Sequence, residues 1–83
     1  MDAMADELQR RTAKRREAVE NVKMTVEYQL YVAVVPAHAR QLTAPQTPRY
    51  DDMTVTKRQW EALMGSWRNG LREWNAAAAS YEI

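Results

Sequence analysis

The sequence predicts an all-α fold: two long antiparallel helices plus one short helix, with a proline-containing loop before the last helix. Three observations carry this prediction. Residues 3–35 contain neither glycine nor proline. Each half of the chain has an apolar stripe recurring at three- and four-residue steps, the spacing of one helical face. Between the stripes lies a segment that holds all three prolines, Pro36, Pro45 and Pro48.

The first helix has Asp2 to cap it, with Asp6 and Glu7 in its early turns complementing the dipole. Its stripe is Val19, Val22, Val26, Leu30 and Ala33, widened by Tyr28, Tyr31, Val32 and Val35. Valine is a mediocre helix former, so packing must hold this half helical. An uninterrupted helix up to Pro36 is expected, because the residue before a proline avoids the α region. Residues 9–17 lack the stripe and are expected to project from the body. A short helix over 36–42 would place Pro36 at its first position. The connector that follows, TAPQTPRYDDMTV, is long for so small a domain, and long connectors are usually functional or disordered.

The last helix starts with Thr56 as N-cap and Gln59 three residues on, a capping box. Val55 and Trp60 would form the hydrophobic staple across it. The stripe then reads Trp60, Leu63, Met64, Trp67, Leu71, Trp74 and Ala78, fading in the AAAASYEI tail. Tyr31, Trp60, Trp67, Leu71 and Trp74 are assigned to the core. The tryptophans could stack bases, but their seven-residue spacing on the apolar stripe favours packing. Tyr28 reads equally well as a base-stacking ring or as a core residue. Gly65 and Gly70 each cost this helix about 1 kcal/mol relative to alanine. A close helix–helix approach would account for one of them.

The chain of 83 residues is enough for a single domain, with a core of about 10–75 and flanks at 1–9 and 76–83. With no cysteine and only His38, disulfides and Cys- or His-based metal sites are excluded, and no cofactor is expected. Asp51 and Asp52 are neighbours in a loop and read as solvated rather than as an acid/base pair. His38 has no evident nucleophile partner, and no phosphate-cradling glycine loop is present. An enzyme is therefore not expected. No apolar run approaches the roughly 20 residues that span a bilayer, and the acidic start does not resemble a signal peptide. An intracellular, soluble protein without a membrane partner is expected.

The formal net charge is only +1, but it is unevenly spread. Residues 1–8 are acidic and 9–16, QRRTAKRR, strongly basic. Such a run makes either a phosphate-binding face or a solvated, salt-bridged one. Lys57 and Arg58 are more pointed. They open the last helix, where positive charge opposes the dipole and free backbone N–H groups favour an anion. A bound anion explains them; so would neutralisation by Asp51 and Asp52. Arginine at Arg58 also suits the bidentate edge of a guanine. Three binding classes remain: a structured-RNA binder, a helical protein-interaction module presenting a Tyr/Trp face, and a duplex-DNA binder acting through QRRTAKRR.

The pattern Lys23-x-Thr25-x-x-Tyr28-x-x-Tyr31, Val35-Pro36, Arg40, Thr47-Pro48, Lys57-Arg58-x-Trp60, Trp67-Arg68 and Leu71-x-x-Trp74 runs from about Arg10 to Asn75. In order and spacing it resembles the RNA-binding domain of the histone mRNA stem-loop-binding proteins. The resemblance implies a three-helix domain that binds the 3′ hairpin of replication-dependent histone messages. It implies action in processing, translation or decay of those messages, in nucleus and cytoplasm, with RNA-processing or translation proteins as further partners. A monomer is expected.

By the same likeness, Arg58 reads a guanine and Lys57 holds phosphate. Lys23 and Tyr28 meet the RNA from the first helix, and Arg15 reaches phosphates further along. Arg68 and Arg72 join this set from the last helix, and Asn21 from the first. Thr47 corresponds to the family's Thr-Pro phosphorylation site. Asn21 replaces a loop-stacking tyrosine, and Arg72 replaces a stacking histidine, although an arginine plane can also stack. Arg49-Tyr50 replaces the usual Asn-Lys after Thr47-Pro48, and Asp51 and Asp52 enter a stretch that is usually basic.

Overall fold

The computed structural model describes residues 3–36 and 45–80. It is all-α, with two long helices, one short one and the proline-containing loop ahead of the last. The helices are α1 (Ala3–Lys23), α2 (Val26–Val34) and α3 (Lys57–Ser80). The expected short helix at 36–42, and His38 and Arg40 with it, fall almost wholly outside the described residues.

The short helix is instead cut from the stretch expected to be continuous. At Met24–Thr25 the chain leaves α1 and starts again. Thr25 takes an extended conformation (φ −75°, ψ 153°) and caps α2, its Oγ1 accepting from the Tyr28 N–H at 3.3 Å. The same hydroxyl donates to the Val22 carbonyl at 2.6 Å. Gln29 Nε2 donates to the Lys23 carbonyl, also at 2.6 Å. Backbone groups freed by the break thus find side-chain partners, which makes an interruption tolerable without glycine or proline. The break also reorients the stripe. Val19 and Val22 are buried, but Val26 and Leu30 turn outward, and Tyr28, Tyr31, Val32 and Val35 pack inward. At the far end Val35 is extended (φ −115°, ψ 93°) and its N–H closes on the Tyr31 carbonyl at 2.8 Å, so α2 stops just before Pro36.

α3 begins with the capping box. The Thr56 N–H donates to Gln59 Oε1 at 2.8 Å, and the Gln59 N–H to Thr56 Oγ1 at 3.1 Å. Val55 packs on the core that contains Trp60. Helical structure continues through Ser80, past the alanine run where fading was expected. The core joins Val19 and Val22 of α1, Tyr31 of α2, and Trp60, Met64, Trp67 and Leu71 of α3, with Trp74 half-buried beside them. Two edge-to-face ring pairs tie α2 to α3: Tyr28–Trp67 at 5.9 Å and Tyr31–Trp74 at 5.3 Å between centroids.

The two long helices run in the same sense, not antiparallel. Arg15 meets the start of α3 at Val55 and Trp60, while Val22, two turns further on, shares a cleft with Arg68, Leu71 and Arg72. The break inserts α2 between the long helices, and the connector brings the chain back to the level of Arg15 before α3 begins. The molecule is correspondingly elongated, 59 × 22 × 20 Å. The basic stretch 9–17 is helical throughout, as part of α1. It does not project as expected: Arg11, Lys14 and Arg15 line a cleft with the start of α3, the Thr12 hydroxyl reaches the Met53 sulfur at 3.8 Å, and Arg15 anchors the stretch to the body.

Tyr31 also holds the loop, its hydroxyl donating to the Pro45 carbonyl at 3.0 Å. Pro45 lies on Gly70, where an added Cβ would sit 3.1 Å from the proline Cγ. That glycine thus admits a loop, not a helix. Gly65 has nothing within 4 Å of the same added atom.

Candidate nucleic-acid interface

Lys57 and Arg58 are exposed, and among the described residues neither forms an ion pair. The neighbouring acids are engaged elsewhere. Asp51 pairs with Arg49 at 3.4 Å, and Asp52 Oδ1 accepts from the Thr54 hydroxyl at 2.6 Å and the Thr54 N–H at 3.0 Å. Those two hydrogen bonds hold the Asp52 carboxyl below its usual range, with the Arg49 and Arg15 guanidiniums adding to the effect. The first turn of α3 has no acidic residue. Two cations therefore stand at a helix start whose dipole disfavours them, and neither Asp51 nor Asp52 pairs with them.

Lys57 lines a cleft between α1 and the start of α3, together with Glu7, Arg11, Lys14 and Arg15 of α1. Further along α3, Arg68 and Arg72 line a second cleft with Val22, Thr25 and Glu27, at the α1–α2 break. At 3.6 residues per turn, Lys57, Arg58, Arg68 and Arg72 fall within about 100° of the α3 circumference. Of these, Lys57, Arg68 and Arg72 line clefts shared with α1, while Arg58 stands at the edge of the arc and Glu61 falls within it. Lys23 and Asn21 close α1 at the same end as the second cleft, Lys23 half-buried and Asn21 exposed. Tyr28 is half-buried and edge-on to Trp67, between core and surface.

Arg15 does not join this exposed set. It is 7% exposed. Its Nη2 donates to the Val55 carbonyl at 2.9 Å, its Nη1 reaches the Asp52 carbonyl at 3.4 Å, and its guanidinium lies 5.1 Å from the centre of the Trp60 ring. Thr47 lies apart as well, in the groove between the proline loop and the opposite flank of α3, with Arg49, Trp67 and Gly70. Trp67 also lines that groove, and among the described residues its buried Nε1 has no hydrogen-bond partner. Arg11 and Lys14 are cleft residues that the sequence reading does not single out. Their signal lies in the i, i+3, i+4 spacing of Arg11, Lys14 and Arg15, which marks one helix face even without apolar residues.

Among the described residues no three His, Cys, Asp or Glu side chains converge to hold a metal ion. No described helix is long and apolar enough to cross a membrane. An all-helical domain that sets four exposed cations along one helix, beside a basic partner helix, belongs to the class of nucleic-acid-binding domains. The family model of the histone RNA hairpin-binding protein RNA-binding domain matches residues 7–76. The chain belongs to that family, and RNA hairpins are the ligands of its class. No curated protein and no solved structure gives a match.

Proposed function

We propose that this domain binds the 3′ stem-loop of replication-dependent histone mRNA and supports its processing, translation or turnover, in nucleus and cytoplasm. The observation that carries the reading is the exposed Lys57-Arg58 pair at a capped helix start, unpaired with Asp51 or Asp52. Arg58 would take a guanine edge in the stem with its planar fork, and Lys57 the adjacent phosphate. Lys23, Asn21, Arg68 and Arg72, grouped around the α1–α2 break, would meet the loop, with Arg72 and Tyr28 as stacking surfaces. The protein would act as a monomer and would meet RNA-processing or translation proteins while bound.

Phosphorylation of Thr47 belongs to the same reading. The residue borders a groove that Arg49 also lines, and a phosphate would bring strong acceptor oxygens beside that guanidinium.

The test is titration of a labelled histone-type hairpin beside one whose stem strands are exchanged, over a range of salt concentrations. Tight binding to the first only, falling steeply with salt, is the expected result. Arg58→Ala should weaken it by about ten- to a hundredfold, the worth of one bidentate hydrogen-bonded pair with a base. Equal, weak binding to both hairpins would defeat the sequence-specific reading.

One observation favours a second reading. Val26, Leu30 and Val34 form an exposed apolar strip along α2, 51–69% accessible, which suits a protein-interaction module. Sedimentation at increasing concentration, with and without RNA, separates the two: self-association without RNA would support the module.

A further inference from the structure

Arg15 is the buried charged side chain of the described structure. Its companions in the basic run, Arg11, Lys14 and Arg16, are all exposed. The three partners of its guanidinium bracket Lys57 and Arg58 in sequence. The Asp52 and Val55 carbonyls belong to the turn that delivers the chain to the Thr56 cap, and Trp60 lies one turn beyond it. With its face against an indole, two of its nitrogens on carbonyls and only 7% of its surface open, Arg15 has little left to offer a phosphate.

The chemistry suits a fixing role. A guanidinium is a rigid fork that can reach two carbonyl oxygens while stacking on a ring, and a lysine ammonium reproduces only part of that geometry. Burying the charge is tolerable because its hydrogen bonds are charge-assisted. They cross between elements 37 and 40 residues apart in sequence, at the point where α3 begins.

We infer that Arg15 is a positioning residue. It sets the first turn of α3, and with it Lys57 and Arg58, against α1, and does not itself contact the RNA. The consequence for binding rests on the hairpin reading above; the consequence for the helix start does not.

A double-mutant cycle tests the first consequence. Arg15→Met should weaken hairpin binding about tenfold or more, the worth of a charged hydrogen bond, when Arg58 is present. In an Arg58→Ala background the same change should cost less than about threefold, because residues that act through one another are not additive. Lys14→Gln is the control, an exposed cation expected to cause the same loss in both backgrounds. Equal losses for Arg15→Met in the two backgrounds would overturn the inference. Arg15→Lys should recover only part of the affinity; full recovery would mark Arg15 as a simple phosphate charge. If Arg15→Met loses helicity, Arg15→Lys carries the cycle.

Hydrogen exchange in the RNA-free protein tests the second consequence. Arg15→Met should remove protection from the Trp60 amide, which donates to the Thr56 carbonyl at 2.8 Å, while protection around Leu71 remains. Unchanged protection at Trp60 sinks the inference even if the wild-type protein proves indifferent to the hairpin, so the two readings fail separately.

Discussion

Residues of one type play different parts here because of what surrounds them. The two helical glycines illustrate this. Gly65 has open space where a Cβ would go, so Gly65→Ala should stabilise the fold by about 0.5–1 kcal/mol, the difference in helix propensity, measured by urea unfolding. At Gly70 the new methyl would press on Pro45, so Gly70→Ala should gain less or lose stability. Asp52 gives a pH signature. Its folded-state carboxyl is held below the ordinary value by the Thr54 hydroxyl and N–H. The stability it contributes is therefore fully present above about pH 4 and fades as pH falls through the depressed value. Asp52→Asn should flatten acid denaturation in that window; an unchanged acid profile would count against the Asp52–Thr54 turn as a support. Arg15 is legible in the sequence as basic. Its burial is not, because its partners are backbone carbonyls and a ring some 40 positions away, which no local pattern announces.

For the elements, legibility follows the range of the forces involved. The α3 start can be read residue by residue because Thr56, Gln59, Val55 and Trp60 interact within one turn. The stripe of α3 is also found inside the molecule at Trp60, Met64, Trp67 and Leu71, although Leu63 remains exposed. The break at Met24–Thr25 is not legible in this way. Its clue is a threonine able to cap, but the competitor is a valine stripe that continues in phase across it. Tertiary packing decides the matter, since burying Tyr31 and docking Tyr28 against Trp67 require α2 to turn. Thr25→Ala should therefore cost about 1 kcal/mol, a typical N-cap loss, read as a lower urea midpoint with helicity at low denaturant preserved. A stabilised Thr25→Ala protein would mean that the break is imposed from outside rather than supported by its cap.

At the level of the whole molecule, the all-α class and the family are readable and relative direction is not. An antiparallel pair is the economical way to join two long helices by a short link. Here a whole helix and a long connector intervene, and α1 and α3 emerge side by side in the same sense. Lys57 consequently faces Arg11 and Lys14 of the basic stretch of α1, with Glu7 at the same cleft, while Arg68 and Arg72 face the α1–α2 break. Binding should then involve phosphate contacts from both helices. Lys14→Gln should lower the slope of log affinity against log salt by up to about one unit, as expected when one phosphate is no longer neutralised. An unchanged slope would remove α1 from the RNA-binding surface.

The half of α1 ahead of Arg15 is, mechanically, a lever. Arg10 stands roughly 22 Å from the pivot at Met24–Thr25, so a tilt of about 10° there would carry it about 4 Å. That is enough to take a guanidinium out of hydrogen-bond reach of a phosphate oxygen. A rod free to swing by this amount would lose its contacts one after another. The grip of Arg15 partway along the rod turns a swinging arm into a ruler.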